Sequence, residues 1–354
     1  MDNESLSESS SLFLSTVATD IQTREVAEDW FRLNDFIFNC CLTQIFAIFA
    51  FCGTSINIVV LSSYDLSKDS SAVLLLALSV ADLIFCFTLP IRRCQCLVTQ
   101  MQGWAAGVTA GTLMTETMFI FNRIFYCISI SLVGVIAFER LIAVFLPFQA
   151  HRLLSPKNMK IAAVMTYLVN IFINSPGFYM FKHDWTLVEG LNQSVAVLQL
   201  SDFYVSNYDN LNFFIMIVYN TGVLGASMVC TLIFMVAIGI KIWTMTKKRQ
   251  TLVRNKEFRF DPQLAKVLLI ICLVSLILHG PSIFFDTVMA YFMPNFINQS
   301  KMYEAYETLV DFSGALSAAI NFLVYMTMSK KFKHRYKDLF RCCLSFLFKK
   351  FNKH

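Results

Sequence analysis

Residues 135–148 read Val-Ile-Ala-Phe-Glu-Arg-Leu-Ile-Ala-Val-Phe-Leu-Pro-Phe and close a long apolar run with one adjacent acid–base pair, Glu139 and Arg140. Pro147 and Phe148 follow, at the point where a helix would end and a loop would begin. An ionised pair at the edge of a bilayer is tolerated when its members bind each other or face protein rather than lipid. The stretch alone leaves two interpretations: a charge that stops a membrane helix, or a switch in which carboxylates hold an arginine in one state and release it in another.

The composition of the whole chain is that of a membrane protein. Of 354 residues, 56% are hydrophobic and 15% are charged, which excludes an ordinary soluble domain. Residues 1–35 are acidic and rich in serine, without the basic start and apolar core of a cleaved signal peptide, so we expect the first membrane helix to act as the signal. We predict an extracellular tail (1–35), a membrane domain (36–329) and a cytoplasmic helix with its tail (330–354).

Seven runs of residues are free, or nearly free, of acidic and basic side chains. Each approaches or exceeds the roughly 20 residues that an α-helix needs to cross a bilayer, whereas the strands of a membrane β-barrel would be about half as long and would alternate. The sequence therefore predicts an all-α bundle of seven membrane helices. These runs, called spans one to seven below, are residues 37–61, 72–91, 117–138, 161–181, 211–240, 267–285 and 312–329.

The basic residues are distributed unequally between the two sides of the predicted membrane. Of the 29 Lys and Arg residues, 22 fall on one side, and the positive-inside rule makes that side cytoplasmic. Because the number of spans is odd, we expect the N-terminus outside, in a multi-pass protein of the plasma membrane. The N-glycosylation motifs at Asn3, Asn192 and Asn298 all fall in segments assigned to the outside.

Short motifs occur in a defined order along the spans. They are Asn57 in span one, Leu-Ala-Leu-Ser-Val-Ala-Asp ending at Asp82, Glu139-Arg140-Leu141, Leu278-His279-Gly280-Pro281 and Asn321-Phe322-Leu323-Val324-Tyr325. In this order the chain resembles the rhodopsin-like G-protein-coupled receptors, from about Asn57 to Cys343. The pattern that runs from Glu139-Arg140 to Ser155-Pro156 is similar to invertebrate neuropeptide and chemosensory receptors. The resemblance implies an extracellular ligand and a heterotrimeric G protein as partners, with movement of span six on activation.

The chain departs from the pattern of that family at several positions. The family's cysteine at the outer end of span three is Thr115 here, and residues 182–210 contain no cysteine, so the usual disulfide to the second outer loop cannot form. Span five lacks its usual proline, and Tyr167 stands where span four usually has tryptophan. A substitute bridge between two outer cysteine pairs is an alternative whose connectivity the sequence leaves open. These pairs are Cys40 with Cys41 and Cys94 with Cys96.

An amphipathic eighth helix is predicted after span seven. Apolar side chains at helical spacing face away from a run of lysine and arginine residues, as in helices that lie at the lipid interface. Cys342 and Cys343 at its end are predicted palmitoylation sites, with membrane lipid as partner. The apolar positions are Phe332, Tyr336, Leu339 and Phe340.

Several polar residues lie in the outer halves of the spans, where ligands of the family bind. Arg123 is 17 residues before Arg140, roughly 25 Å along a helix. It is predicted either to hold a ligand carboxylate or to form a bridge with Asp311 or Asp286. The ligand is expected to be a peptide or a small, acidic molecule. The predicted ligand-binding residues are Asn122, Arg123, Glu116, His279, Asp286 and Asp311.

Two inner sites follow from the resemblance. Asp82 would bind sodium or water together with Ser129, Ser317 and Asn321, while a protonated Asp82 bonded to neighbouring helices is the alternative; no other cofactor or metal is expected. At the cytoplasmic edge, Glu139 and Asp261 would hold Arg140 in the resting state, which favours the switch interpretation. The predicted switch residues are Glu139, Arg140, Asp261, Pro281, Asn321 and Tyr325, and the predicted G-protein contacts are Arg140 and Phe148.

Other classes of function fit less well. The sequence shows no nucleophile constellation, metal-ligand spacing or phosphate-binding loop, so an enzyme is not expected, and no nucleic acid is expected as a partner. A light sensor is not expected either, because residues 312–329 lack a lysine that could form a Schiff base with retinal. A transporter or a ligand-gated, odorant-type channel is the remaining alternative, but it would be expected to show repeats or ionisable groups through the bilayer.

Overall fold

The computed structural model describes residues 36–67, 69–188, 193–251, 262–292, 300–328, 332–338 and 341. In this part of the chain, seven helices are long and apolar enough to cross a membrane. The predicted all-α, seven-span fold is therefore confirmed. The membrane-crossing segments that correspond to spans one to seven are Phe36–Ser62, Ser70–Gln102, Trp104–Phe145, Pro156–Tyr179, Thr221–Thr244, Leu268–Phe285 and Tyr306–Thr327.

The spans are built from helices that extend beyond the apolar runs. The helices in chain order are Phe36–Leu42 (π-helical), Thr43–Ser62, Ser70–Arg92, Gln95–Gln102, Trp104–Phe145, Pro147–Leu153, Pro156–Asn174, Ser175–Tyr179 (3-10), Asp202–Ser206, Tyr208–Asn212, Phe213–Gly225 (π-helical), Ala226–Thr251, Pro262–Phe292 and Ser300–Met328. Capping residues mark two of the starts. Asp69 accepts a hydrogen bond from the Ala72 amide at 3.1 Å, and Ser155 accepts one from the Asn158 amide at 3.3 Å, as N-caps do.

Span three extends outward far beyond its predicted start. Its helix, Trp104–Phe145, has 42 residues, about 63 Å of helix, and begins eleven residues before Thr115. The short helix Gln95–Gln102 packs against its first turns after a chain reversal at Gly103, whose φ is 93°. Gly107 and Gly111 permit this contact, since a Cβ there would lie 1.9 Å from Thr99 Oγ1 and 2.7 Å from Gln95 Oε1. We call Gln95–Gln102 and residues 104–115 the outer helical hairpin.

The second outer loop forms a β-hairpin. Strand β1 (Phe181–Val188) pairs antiparallel with strand β2 (Gln193–Leu200), with Phe181 opposite Leu200. The Ala196 amide donates a hydrogen bond to Thr109 Oγ1 of span three at 3.3 Å. The Phe181 ring lies 5.2 Å from that of Phe119. The β-hairpin is therefore held on the outer part of span three by side chains, at the place where the family usually has a disulfide.

Span five lacks the usual proline of the family, and in span seven Phe322 stands at the proline position of the family's Asn-Pro-x-x-Tyr motif. Each of the two spans has a distinct local structure. The outer part of span five is π-helical over Phe213–Gly225, a geometry that often marks functional segments. Within it, Tyr219 is buried and donates a hydrogen bond to Asn170 Oδ1 of span four at 2.7 Å. In span seven, Phe322 packs against Gly53 of span one, where a Cβ would lie 2.7 Å from the ring.

Residues 332–338 form a helix. Phe332 is buried, and its ring lies 5.8 Å from that of Tyr325, while Lys333 and Arg335 are exposed. The guanidinium of Arg335 lies 5.9 Å from the centre of the Tyr64 ring in the first inner loop. Burial raises the pKa of Tyr64 and the charge of Arg335 opposes that rise. The described part of the eighth helix has the predicted amphipathic character; Leu339, Phe340, Cys342 and Cys343 lie outside the described residues.

Candidate ligand site and inner switch

Four charged side chains meet between the outer ends of spans two and seven. Arg92 donates hydrogen bonds to Asp311 and to Glu307 Oε2 at 3.3 Å. Arg93 Nε donates to Asp311 Oδ2 at 2.6 Å, and its Nη2 lies 3.9 Å from Glu307 Oε2. We call these four residues the outer quartet. Arg92 and Asp311 are buried, so the ions are paired as burial requires.

The outer quartet corrects one expectation about Arg123. Asp311 is bound by Arg92 and Arg93 rather than by Arg123, because the arginines at the end of span two lie beside span seven at the same depth. The guanidinium of Arg123 lies 5.9 Å from the centre of the Tyr126 ring. Asp286 lies within the helix Pro262–Phe292, but its side chain lies outside the described residues, so its pairing with Arg123 stays a prediction.

The other predicted ligand residues are distributed between the interior and the outer rim. Asn122 is buried and donates hydrogen bonds to the carbonyl of Phe85 and to Thr88 Oγ1, both at 3.2 Å. Glu116 lies at the rim, where its Oε2 is 2.6 Å from His183 Nδ1 of β1. The structure therefore gives Asn122 a role in joining spans two and three, and it uses Glu116 to hold the β-hairpin.

His279 belongs to a buried polar chain that connects spans three, six and seven. Its Nδ1 lies 3.1 Å from the Tyr126 hydroxyl, which lies 3.2 Å from Ser282 Oγ. Tyr306 of span seven donates a hydrogen bond to the Ser282 carbonyl at 2.9 Å. Ser282 directly follows Pro281, which lies inside the span-six helix. The chain of contacts thus reaches the segment of span six where proline removes a backbone hydrogen bond.

Asp82 lies at the centre of a buried polar site between spans two, three and seven. Its carboxylate accepts hydrogen bonds from Ser129 Oγ at 2.7 Å and from Asn321 Nδ2 at 3.0 Å. Ser317 is buried, yet among the described residues it forms no hydrogen bond with Asp82. Both side-chain polar atoms of Asn57 are also buried without a partner in the described part of the chain.

Glu139 and Arg140, two of the predicted switch residues, are buried against the start of span two. Arg140 donates from Nε to Glu139 Oε2 at 2.6 Å and from Nη2 to Glu139 Oε1 at 2.8 Å, and it also bonds Ser71 Oγ. Ser71 in turn donates to Glu139 Oε1 at 3.1 Å. Glu139 is 2% and Arg140 8% exposed. The second predicted partner of Arg140, Asp261, lies outside the described residues.

Two other predicted switch and contact residues lie near the predicted cytoplasmic end. Phe148 is in the short helix Pro147–Leu153 and is 92% exposed. Tyr325 is buried, and its hydroxyl has no hydrogen-bond partner among the residues that the structure describes. Of these two residues, Phe148 is thus exposed in the second inner loop, and Tyr325 is buried at the end of span seven.

The outer cysteines form one bridge. Cys40 at the start of span one is bonded to Cys96 in the outer helical hairpin, while Cys41 and Cys94 are free. This pairing is one of the alternatives that the sequence left open. The glycosylation motifs at Asn3, Asn192 and Asn298 lie outside the described residues.

Sequence reasoning did not identify four residues that are prominent in these sites: Arg92, Arg93, Glu307 and Ser71. Two adjacent arginines at the end of an apolar run resemble an ordinary span boundary. The available signal was the cost of burying charge, which requires partners at the same depth on a neighbouring helix. Ser71 gave no signal, because a serine at a helix start is usually a cap.

Comparison with known proteins agrees with this arrangement. The family "7 transmembrane receptor (rhodopsin family)" matches residues 53–325. Galanin receptor 2b of Danio rerio is 23% identical over 310 residues, which cover 86% of this chain and 76% of that protein. Chemerin-like receptor 1 of Sus scrofa is 27% identical over 159 residues, which cover 44% of this chain and 42% of that protein. These relatives are receptors rather than enzymes, and the match favours a receptor over a transporter or channel. The chain belongs to the rhodopsin family of seven-transmembrane receptors.

Proposed function

We propose that this receptor binds an extracellular ligand between the outer ends of spans two, three, six and seven and activates a heterotrimeric G protein through Arg140. The observation that carries the proposal is the buried pair of Arg140 and Glu139 at the opposite end of span three from the outer charged residues. A paired arginine that a ligand can release by shifting helices is a two-state element. Such an element links the two ends of the membrane domain.

The proposed ligand is a peptide. The two relatives carry the names of a galanin receptor and a chemerin-like receptor. The β-hairpin presents exposed apolar side chains on the outer side, including Trp185 and Leu187. A peptide can contact such a surface with its length while one end enters the bundle. A small chemosensory molecule is the other candidate that the sequence pattern suggested.

The proposed route from the ligand to the inner switch passes through span six. Along span three, Asn122 and Arg123 lie close to Tyr126. Tyr126 forms a polar chain with His279 and Ser282 of span six. A ligand that moves Tyr126 changes the bonds to span six around Pro281. Movement of span six then opens the space in which Arg140 meets the G protein, where only a long planar donor reaches the partner's backbone carbonyls.

We propose that Asp82 binds a sodium ion or water in the resting state. Asp82, Ser129 and Ser317 offer carboxylate and hydroxyl oxygens, the ligand type that hard cations prefer. Asn57 of the neighbouring span one is also buried, and both of its side-chain polar atoms lack a partner among the described residues. When bound, the ion would compensate the charge of Asp82.

The function is tested by coupling in transfected cells. A library of peptides and small acids is screened for G-protein dissociation, and each active compound is retested on the Arg140→Ala receptor. We expect at least one ligand-dependent response that Arg140→Ala abolishes at equal surface expression. A response that Arg140→Ala leaves intact would contradict the proposed switch.

Replacing Phe148 with alanine is expected to reduce coupling severalfold without changing ligand affinity in the uncoupled receptor. The side chain is almost fully exposed in the second inner loop, and an interface residue whose truncation costs about 1 kcal/mol changes a binding constant about fivefold. The measurement is G-protein dissociation as a function of receptor number. Leu153→Ala is the matched control, because Leu153 is an exposed apolar residue of the same short helix. Equal effects of the two substitutions would argue against a specific contact.

The proposed orientation places residue 1 outside the cell and residue 354 inside. It is supported by the 22 of 29 basic residues on the predicted inner side. An epitope at residue 1 is expected to stain on intact cells, and one at residue 354 only after permeabilisation. The opposite pattern would refute the orientation, and with it the proposed glycosylation of Asn3, Asn192 and Asn298 and palmitoylation of Cys342 and Cys343.

A further inference from the structure

We infer that the outer quartet is an anchor for a carboxylate group of the ligand, which takes the place of Glu307 beside Arg92 and Arg93. The inference rests on the proposed ligand-binding function and names the chemistry that the ligand must carry. The ligand is thus either a peptide with a free C-terminus or a small organic acid.

Not every hydrogen-bond donor of the outer quartet has an acceptor among the described residues. Each guanidinium carries five N–H donors. Arg92 Nε is buried and has no hydrogen-bond partner among the described residues. The Arg92 side chain as a whole is only 4% exposed. On the acceptor side, the single oxygen Oδ2 of Asp311 receives both Arg92 and Arg93. An additional acceptor for Arg92 Nε is therefore the group that the described residues do not supply.

The two acids differ in their distances from the arginines. Glu307 Oε2 lies 3.3 Å from Arg92 Nη1 and 3.9 Å from Arg93 Nη2. Asp311 Oδ2 lies 2.6 Å from Arg93 Nη2. The side chain of Glu307 is also the more exposed of the two, at 14% against 6%. An entering carboxylate would therefore displace Glu307 and leave Asp311 in place.

The charges favour an anionic ligand over a cationic one. A carboxylate that replaces Glu307 keeps two arginines paired with two acids, and the displaced Glu307 side chain can turn toward water at the rim. A cation that bound the acids would instead leave guanidinium charges buried without a partner, and arginine does not lose its proton in proteins. Leaving a buried charge unpaired is strongly unfavourable.

The surroundings indicate what the rest of the ligand carries. The guanidinium of Arg92 lies 5.2 Å from the centre of the Phe119 ring, which contacts Phe181 of β1. Tyr306 precedes Glu307 in the chain, and its ring lies 4.7 Å from that of Phe285. One aromatic ring thus lies against Arg92, and a second aromatic pair begins one residue before Glu307. The anchor fits a carboxylate attached to an apolar or aromatic group.

The competing explanation is that the outer quartet only joins spans two and seven. The test uses purified receptor in detergent and measures its melting temperature with pairs of acids and matched amides. One pair is N-acetyl-Leu-Phe and its C-terminal amide, and the other is 4-phenylbutyrate and 4-phenylbutyramide. We expect an acid to raise the melting temperature of Glu307→Gln by about 2 °C or more, and to raise that of the wild type less, because Glu307 competes there.

Variants of the arginines distinguish the two explanations. Arg93→Gln is expected to lose the difference between acid and amide, and Arg93→Lys, which keeps the charge and loses the forked donor, is expected to reduce it. Lys182→Gln is the control, because Lys182 is a basic outer residue whose described partner is Asp202. It should leave the difference unchanged.

The result identifies the source of the carboxylate. Stabilisation by the peptide acid alone supports a peptide terminus, and stabilisation by 4-phenylbutyrate supports a small acid. If acids and amides act alike on both wild type and Glu307→Gln, or if Arg93→Gln keeps the difference, the anchor is refuted. This readout does not involve the G protein, so its outcome is separate from that of the coupling assays.

Discussion

Replacing Cys96 with serine is expected to lower both the melting temperature and the surface expression of the receptor, whereas replacing Cys94 is not. Cys96 is bonded to Cys40, 56 residues earlier in the chain. A bridge that closes a loop of this length stabilises a protein by up to about 4 kcal/mol through the unfolded chain. That figure is an upper limit here, because spans one and two remain in the membrane when the outer contacts are lost.

The four outer cysteines supply their own controls. Cys40→Ser is expected to match Cys96→Ser, and the double variant should be no worse than either single variant, because one bond is lost in each case. Cys41→Ser and Cys94→Ser remove free thiols of the same segments and should have little effect. Peptide mapping without reduction should recover Cys40 linked to Cys96. A strong effect of Cys41→Ser or Cys94→Ser would indicate that the bridge uses Cys41 or Cys94 instead.

The disulfide explains how the outer region is organised without the usual bridge of the family. It fixes Gln95–Gln102 to the start of span one, and that helix packs on span three through Gly107 and Gly111. The β-hairpin then rests on span three through Ala196 and Thr109. Thus the covalent bond holds the outer helical hairpin, and noncovalent contacts hold the β-hairpin.

The features predicted correctly from the sequence are those that depend on short stretches. The seven spans follow from the length of apolar runs, which is a local property. Motif order also grouped Ser129 and Asn321 with Asp82, to which both donate hydrogen bonds, while the ion that the resemblance implies at Asp82 stays a prediction. The pairing of Arg140 with Glu139 needed only that they be neighbours in the chain.

The features that were missed depend on how helices are placed relative to one another. The partners of Asp311 are 218 and 219 residues away in the chain, and only the relative depth of spans two and seven decides between them and Arg123. The outward extension of span three was missed because the charged Glu116 bounds the uncharged run 117–138, whereas the helix continues past it through residues 104–115. The contact of Glu116 with His183 depends on the position of β1.

Replacing Glu139 with glutamine is expected to raise ligand-free signalling by about tenfold. Glu139 holds Arg140 through two oxygens, at 2.6 and 2.8 Å, in a buried site. Glutamine keeps the shape but removes the charge and one acceptor, and a charge-assisted hydrogen bond contributes about 1.5–3 kcal/mol. A loss of about 1.4 kcal/mol shifts a two-state equilibrium tenfold, here toward the state in which Arg140 is released.

The contact with span two predicts a graded series. Ser71→Ala removes one neutral partner of both Glu139 and Arg140, worth about 1 kcal/mol, so basal signalling should rise by about fivefold. Glu139→Asp keeps the charge on a shorter side chain, and its basal signalling should fall between that of wild type and that of Glu139→Gln.

Second-messenger output without ligand is measured at matched surface expression, since a less firmly paired arginine also destabilises the fold. Adding Arg140→Ala to Glu139→Gln should abolish the rise, because the released arginine is then absent. If Glu139→Gln leaves basal output unchanged in a receptor that responds to ligand, the pair is a structural element of the helix end, and the switch lies elsewhere.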